Sequence, residues 1–300
     1  MLYRKRVLGA AALMASSLTA FAALAEKPAE NSPAMWKMTD EDSTVYLFGT
    51  FHILPPNVEW QTDAYAAAMA EAETTITEAD TNSPEAQAAL AQAVQQYGLN
   101  PPGTTLSSIL GEERAAEFAK AADNLGVPMQ VFEAQRPWLA SLTLSVLALQ
   151  KAGFDPNAGV EPLLLAQANA EGDKIDHFET GVEQIEILAS LDEDEMLANF
   201  DASLDQFVEF ETLMGNMLDA WRTGDVKGLE EDINGQLRDE APDAFQKLLV
   251  DRNENWVVEI KNIMAGQGDY FIAVGAGHLV GEDSVIDMLN EEGFKVKRVQ

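Results

Sequence analysis

Two stretches of this chain follow one pattern, and that pattern narrows its architecture more than any other feature. Thr44-Val45-Tyr46-Leu47-Phe48 runs into Gly49-Thr50-Phe51-His52, and residues 270–274 run into Gly275-Ala276-Gly277-His278. Each apolar run is short and rich in β-branched and aromatic residues, as buried strands are. Each is followed by a glycine, a histidine three residues later, a helical pattern and a further strand-like run. Strand, helix, strand at this spacing specifies a βαβ unit, a parallel pair with the helix over one face. The expected fold is therefore α/β: a split core of two βαβ units in a mostly parallel sheet flanked by helices.

In the first unit Thr62 caps an Ala-rich helix to about Glu73, and the next strand ends at Glu78. In the second, a helix near residues 283–290 stops at Gly293 and a strand over 294–299 closes the chain. Residues 35–38 and 44–48 flank an acidic turn and read as a β-hairpin. Between the units, Ser83-Pro84 opens a helix to about Tyr97, and further helices are expected over 112–125, 137–152 and 160–171. A short strand follows at 174–178. A capping box at Asp192 and Glu195 then starts a helix striped with Met196, Phe200, Leu204, Phe207, Phe210, Met214, Met217 and Trp221, ended by Gly224. Such a stripe reads as a core face before it reads as a cofactor groove. Helices over 226–237, 242–250 and 252–264 complete a helical insertion, about 181–265, within a single domain spanning 26–300.

The N-terminus carries its own message. Arg4-Lys5-Arg6 precedes an apolar run that ends Ala23-Leu24-Ala25, the pattern of a signal peptide over residues 1–25 with cleavage before Glu26. The expected location is periplasmic or secreted; retention of the segment as an anchor is the alternative. No later run is long and apolar enough to suggest a stable membrane span. Against 19 Lys and Arg stand 50 Asp and Glu, a net charge of −31. That field repels phosphate backbones and argues against nucleic acid as a partner. Cysteine is absent, so disulfides, thiolate metal sites and Cys nucleophiles are excluded. Imidazole chemistry has only His52, His177 and His278 to draw on.

In open α/β sheets, ligands bind beyond the carboxyl ends of strands. His52 and His278 both follow such ends, and Glu78 closes a third. Two imidazoles and a carboxylate can hold a divalent metal or run acid–base chemistry with water. One histidine after a strand serves packing as readily as chemistry; two in matched contexts are more specific. His177, beside Asp176 on a strand, reads as structural. Glu179 could cap the helix beginning near Gly181 or take part in chemistry. Arg252 could pair with a carboxylate or face a developing oxyanion, and Trp138 reads as a core anchor. The sequence contains no His-Glu-x-x-His, no Gly-x-Ser-x-Gly and no phosphate-binding Gly-rich loop.

These residues, with Arg136-Pro137-Trp138, Phe178-Glu179-Thr180, Gln184, Arg252-Asn253 and the run from Val274 to Gly281, stand in the order of the TraB/PrgY/GumN family, which the chain resembles from about residue 35 to 299. That family is similar to the Tiki metalloproteases and more distantly to erythromycin esterases and ChaN-type haem-binding proteins. The resemblance implies a split α/β core and a metal-dependent, peptidase-like site. His52, Glu78 and His278 would be metal ligands, and Glu78, Glu179 and Arg252 catalytic or supporting groups. After Gly159-Val160 the family has Asp, whereas this chain has Glu161, one methylene longer. The leading expectation is an exported hydrolase of peptide or protein substrates using a divalent ion (Mn, Co or Zn), with Arg252 on the oxyanion. One alternative is a metal-free esterase-like hydrolase with His52 as base and Glu78 as its orienter. The other is a non-catalytic protein that binds haem or a peptide.

Overall fold

The acidic turn after Thr39 closes a hairpin in the computed structural model, which describes residues 31–192, 197 and 210–300. The signal-peptide segment 1–25 lies outside the described residues. So do Glu195 of the expected capping box and Met196, Phe200, Leu204 and Phe207 of the stripe. Strands β1 (Met35–Thr39) and β2 (Ser43–Thr50) pair antiparallel, Met35 opposite Phe48. The Asp40 carboxylate accepts the Ser43 N–H at 2.8 Å and tightens the turn. Helix α1 (Asp63–Glu71), capped by Thr62, leads to β3 (Thr74–Asp80). Four helices follow: α2 (Pro84–Tyr97), α3 (Leu106–Asn124), α4 (Pro137–Lys151) and α5 (Val160–Glu171). Then come β4 (Lys174–Thr180), α6 (Gly181–Ala189) and α7 (Phe210–Arg222). Short helical turns over 226–250, including π-helical stretches at Glu230–Gly235 and Gln246–Val250, precede α8 (Asp251–Met264). The chain ends with β5 (Gly268–Gly275), α9 (Val285–Glu291) and β6 (Lys297–Arg298).

The six strands form one sheet in the order β4-β3-β5-β2-β1-β6. The α/β reading holds, but the pairing inside the two βαβ units does not. The first unit was expected to place β2 beside β3. Instead β5 lies between them, parallel to both. Its segment Phe271–Val274 is 0–1% exposed, so an almost wholly apolar strand sits where both edges and both faces are covered. With β5 flanked on both sides, the last strand cannot join it. The expected 294–299 strand is reduced to Lys297–Arg298, antiparallel to β1 at the far edge. The two units therefore interlock. The carboxyl ends of β2, β5 and β3 become neighbours.

Aromatic side chains fill the core around β2. Phe48 lies 5.4–5.9 Å, centroid to centroid, from Trp60, Tyr65 and Phe271. Trp221, the last residue of the stripe, is fully buried and donates its indole N–H to Gly49 O at 2.8 Å. Trp221 is thus core, whereas Met214 and Met217, earlier in the stripe, are half-buried. Trp138 is buried and anchors α4 to Tyr97 O at 3.2 Å. Leu106, Phe118, Phe132 and Leu144 form a second small core between α3 and α4. No helix among the described residues is long and apolar enough to cross a membrane.

Candidate functional site

Gly275 explains how three strand ends can meet at one carboxylate. It pairs with Thr50 at the ends of β5 and β2, and its N–H donates to Glu78 Oε1 at 2.6 Å. A Cβ on Gly275 would stand 3.0 Å from that same oxygen and 3.6 Å from His52 Nε2, so any side chain here would crowd the site. This is what the glycine of the second Gly-x-x-His does.

Glu78 is 9% exposed, and a carboxylate so buried needs partners. Arg252 Nη2 donates to its Oε2 at 2.6 Å, and Gln184 Nε2 to the same oxygen at 3.2 Å. Burial alone would raise the Glu78 pKa. His278, His52, Arg252 and the Gly275 N–H outweigh it and lower the value to about 2. Glu179, at the end of β4, accepts from Arg252 Nε and Nη2 at 2.9 Å each and from the Trp256 indole at 3.0 Å. It does not cap α6; Thr180 does, in a capping box with Glu183. Arg252 also donates from Nη1 to Leu248 O at 3.0 Å and to His278 Nε2 at 3.1 Å. All five guanidinium N–H groups are thereby engaged. Trp256, one turn along α8, stacks against the guanidinium at 4.7 Å.

Because Nε2 of His278 accepts from a permanent cation, its proton is on Nδ1, which donates to Asn253 Oδ1 at 2.6 Å. Asn253 is oriented in turn by donating to Asp283 O at 2.7 Å. Burial lowers the His278 pKa to about 3 even though Glu78 pulls the other way. The ring is neutral at physiological pH, so Arg252, His52 and the Gly275 amide hold Glu78 ionised there.

His52 differs from His278 in exposure, partner and charge. Its side chain is 61% exposed, and Nδ1 donates to Glu161 Oε1 at 2.7 Å. Glu161 projects from the first turn of α5 and accepts the Thr50 hydroxyl as well. Glu161 is the largest influence on His52, raising its pKa to about 9, and Glu78 reinforces it. The imidazole Nε2 stands 4.0 Å from Glu78 Oε1, and the same oxygen is 3.9 Å from His278 Nε2. Both histidines therefore converge on one carboxylate oxygen. His52 and Glu78 border a cavity of about 420 Å³ lined also by Glu161, Gln184, Asn82 and Pro156, with His278 buried behind them.

His52, Glu78, Glu179, Arg252 and His278 thus form one network, whereas His177 stands apart, its Nδ1 2.8 Å from the Thr77 hydroxyl. Sequence reasoning noted Glu161 only for its length; the structure places its carboxylate 2.7 Å from His52 Nδ1. Asn253 and Gln184 were part of the family pattern without a role, and Trp256 gave no signal. A divalent ion fits this arrangement poorly. Arg252 already occupies the His278 Nε2 lone pair and one oxygen of Glu78, so a cation stands where a second cation would need ligands. Among the described residues no group of three or more His, Asp or Glu side chains is arranged to hold a metal ion.

Comparison with known proteins adds a family. The model of the TraB/PrgY/gumN family matches residues 34–298. The chain is similar to "Uncharacterized protein YbaP" of Escherichia coli (strain K12) and of Shigella flexneri, 26% identical over 194 residues in each case, 63% of this chain and 69% of theirs. No solved structure matches.

Proposed function

The chain belongs to the TraB/PrgY/gumN family, and we propose that it is an exported, metal-free hydrolase of peptide or protein substrates in which His52 activates water. The observation that carries this reading is the His52–Glu161 pair. One ring nitrogen is bound to a carboxylate at 2.7 Å while the other borders the cavity beside Glu78. That is the arrangement of a general base held by an orienting acid. Glu161 takes the orienting role; Glu78, paired to Arg252, takes another.

In this mechanism a water lies between His52 Nε2 and Glu78 Oε1, groups whose 4.0 Å separation suits a bridging molecule. His52 takes one proton as the oxygen attacks the substrate carbonyl, and Glu161 stabilises the imidazolium. When the tetrahedral intermediate collapses, His52 returns that proton to the leaving nitrogen or oxygen. Arg252 is a positioning residue: its donors are spent holding Glu78 and Glu179. Among the described residues no Lys or Arg lines the cavity, which favours neutral carbonyl substrates over phosphorylated ones. Residues 1–25 support export. Binding of Mn, Co or Zn by His52, Glu78 and His278 would require Arg252 to withdraw from two of them, a rearrangement the metal-free route does not need.

The test is kcat/KM against pH on a library of terminally blocked peptides, with chelator present, for wild type and Glu161→Gln. His52 is a base only when unprotonated, and its pKa is raised to about 9. Wild-type activity should therefore climb through pH 7 and 8 and level off only above about 9. Glu161→Gln should move that limb towards roughly 6.5, the ordinary imidazole value, and lower the plateau by roughly 10²–10⁴. Activity abolished by chelator and restored by added Mn²⁺, Co²⁺ or Zn²⁺ would replace this mechanism with the metal-dependent one. An unshifted limb in Glu161→Gln would end the case for the pair.

A further inference from the structure

Gln184 borders the same cavity, and its amide is fixed by its neighbours. Nε2 donates to Glu78 Oε2 at 3.2 Å and to Glu179 Oε2 at 3.3 Å. Both partners are carboxylates, which as anions only accept, so both amide hydrogens are committed and the orientation is settled. Oε1 must then point away from the two carboxylates, and it takes part in no hydrogen bond among the described residues. It is also not a buried, unsatisfied atom. Gln184 thus lines the cavity with an oriented acceptor whose donor has to come from elsewhere. Its position relative to the chemistry is defined by Glu78: Oε1 of that carboxylate faces His52, and Oε2 faces Gln184. The Gln184 amide and His52 therefore stand on opposite oxygens of one carboxylate, the amide nitrogen 3.2 Å from Oε2 and His52 Nε2 4.0 Å from Oε1. Ala79, Pro156, Pro162 and Leu165 supply apolar wall to the same cavity.

We propose that Gln184 Oε1 accepts a backbone N–H from an extended peptide in the cavity. The site would then select secondary-amide chains and reject residues without an N–H, proline included, at one position near the scissile bond. The proposal rests on the cavity being the substrate site of the hydrolase described above. A site built around an acceptor penalises an analogue that lacks the donor, because the acceptor is left desolvated and unpaired. This explains why a glutamine, not another carboxylate, sits between Glu78 and Glu179: it holds both anions with its donors and turns its acceptor outward.

The experiment is N-methyl scanning. A blocked octapeptide cleaved by the full-length mature protein is made with one backbone N-methyl at each position in turn. On wild type, one position should raise KM about tenfold with kcat little changed, as expected for one lost hydrogen bond. In Gln184→Met, the methylated and parent peptides should agree within about twofold. Two results overturn the proposal: no sensitive position on wild type, or full discrimination surviving in Gln184→Met. Should Gln184→Met fail to fold, Gln184→Ala repeats the comparison, and the wild-type scan still decides whether a sensitive position exists. Calorimetric binding of the same peptides to His52→Ala separates this proposal from the hydrolase reading. Methyl-sensitive binding without any wild-type cleavage would retire the hydrolase and keep the acceptor. Cleavage without sensitivity would do the reverse, and no binding at all would end both.

Discussion

Arg252 is the residue on which the site's electrostatics turn. At 10% side-chain exposure it is the counter-ion of two carboxylates, Glu78 and Glu179, that are 11% and 12% exposed. Removing one partner of such a cluster leaves uncompensated buried charge, which typically costs about 3–5 kcal/mol. Arg252→Met should lose that much in chemical denaturation at pH 7. Arg252→Lys should recover little, because an ammonium cannot reproduce five donors in a planar fork. The pH dependence has a definite sign. The Glu78 pKa is lowered to about 2 in the fold, against roughly 4.3 in an unfolded chain. Its stabilisation is therefore complete above about pH 4.3 and is lost as pH falls towards 2. Arg252→Met should flatten the wild-type decline across that interval. A variant as stable as wild type, with the same acid limb, would remove Arg252 from this role.

At the scale of elements, the site depends on how the loop after β2 is docked against the start of α5. Val160 N donates to Phe51 O at 3.0 Å, and Asp155 N to Leu54 O at 2.9 Å, so residues 51–54 lie along 155–160. Gly159 makes the approach possible: a Cβ there would fall 2.0 Å from the His52 carbonyl oxygen. Its φ of −57° suits any residue, so space and not conformation demands glycine. Gly159→Ala should force the loop off α5 at a cost of about 1–3 kcal/mol and pull His52 away from Glu161. NMR titration of His52 checks this directly: its pKa should drop from about 9 towards the usual imidazole value. A Gly159→Ala protein with an unchanged His52 titration would mean that the pair does not depend on this contact. The other elements that form the site were partly legible. The strands before His52 and His278 and the Thr62 and Ser83 caps follow from local pattern. That β5 enters between β2 and β3 does not, because periodicity gives a strand's burial but not its neighbours.

For the whole molecule, the net charge of −31 is a self-repulsion that the buried network does not relieve. Screening shortens the reach of surface charge from about 30 Å at 0.01 M to about 8 Å at 0.15 M. The melting temperature should therefore rise by a few degrees over that range, equally for sodium and potassium chloride. The shift should come without loss of the Arg252 cluster, since screening is weak for buried pairs. A melting point that falls with salt would show that surface ion pairs, such as Lys37 with Glu71, outweigh the repulsion.

The sequence by itself determined the fold class, the two Gly-x-x-His turns, Trp221 as a core residue and the short list of groups able to do chemistry. These are consequences of local period, capping chemistry and composition, which act within a few residues. Tertiary structure decided which histidine is neutral and which is charged. His278 and His52 sit in the same motif, yet burial under Arg252 drives one pKa to about 3 while Glu161 raises the other to about 9. It also decided that Glu161 orients His52 and that Glu78 pairs with Arg252. Those partners are separated by 109 and 174 residues of chain, and only the interlocking of β2, β5 and β3, with α5 and α8 packed at their ends, brings them within hydrogen-bond distance.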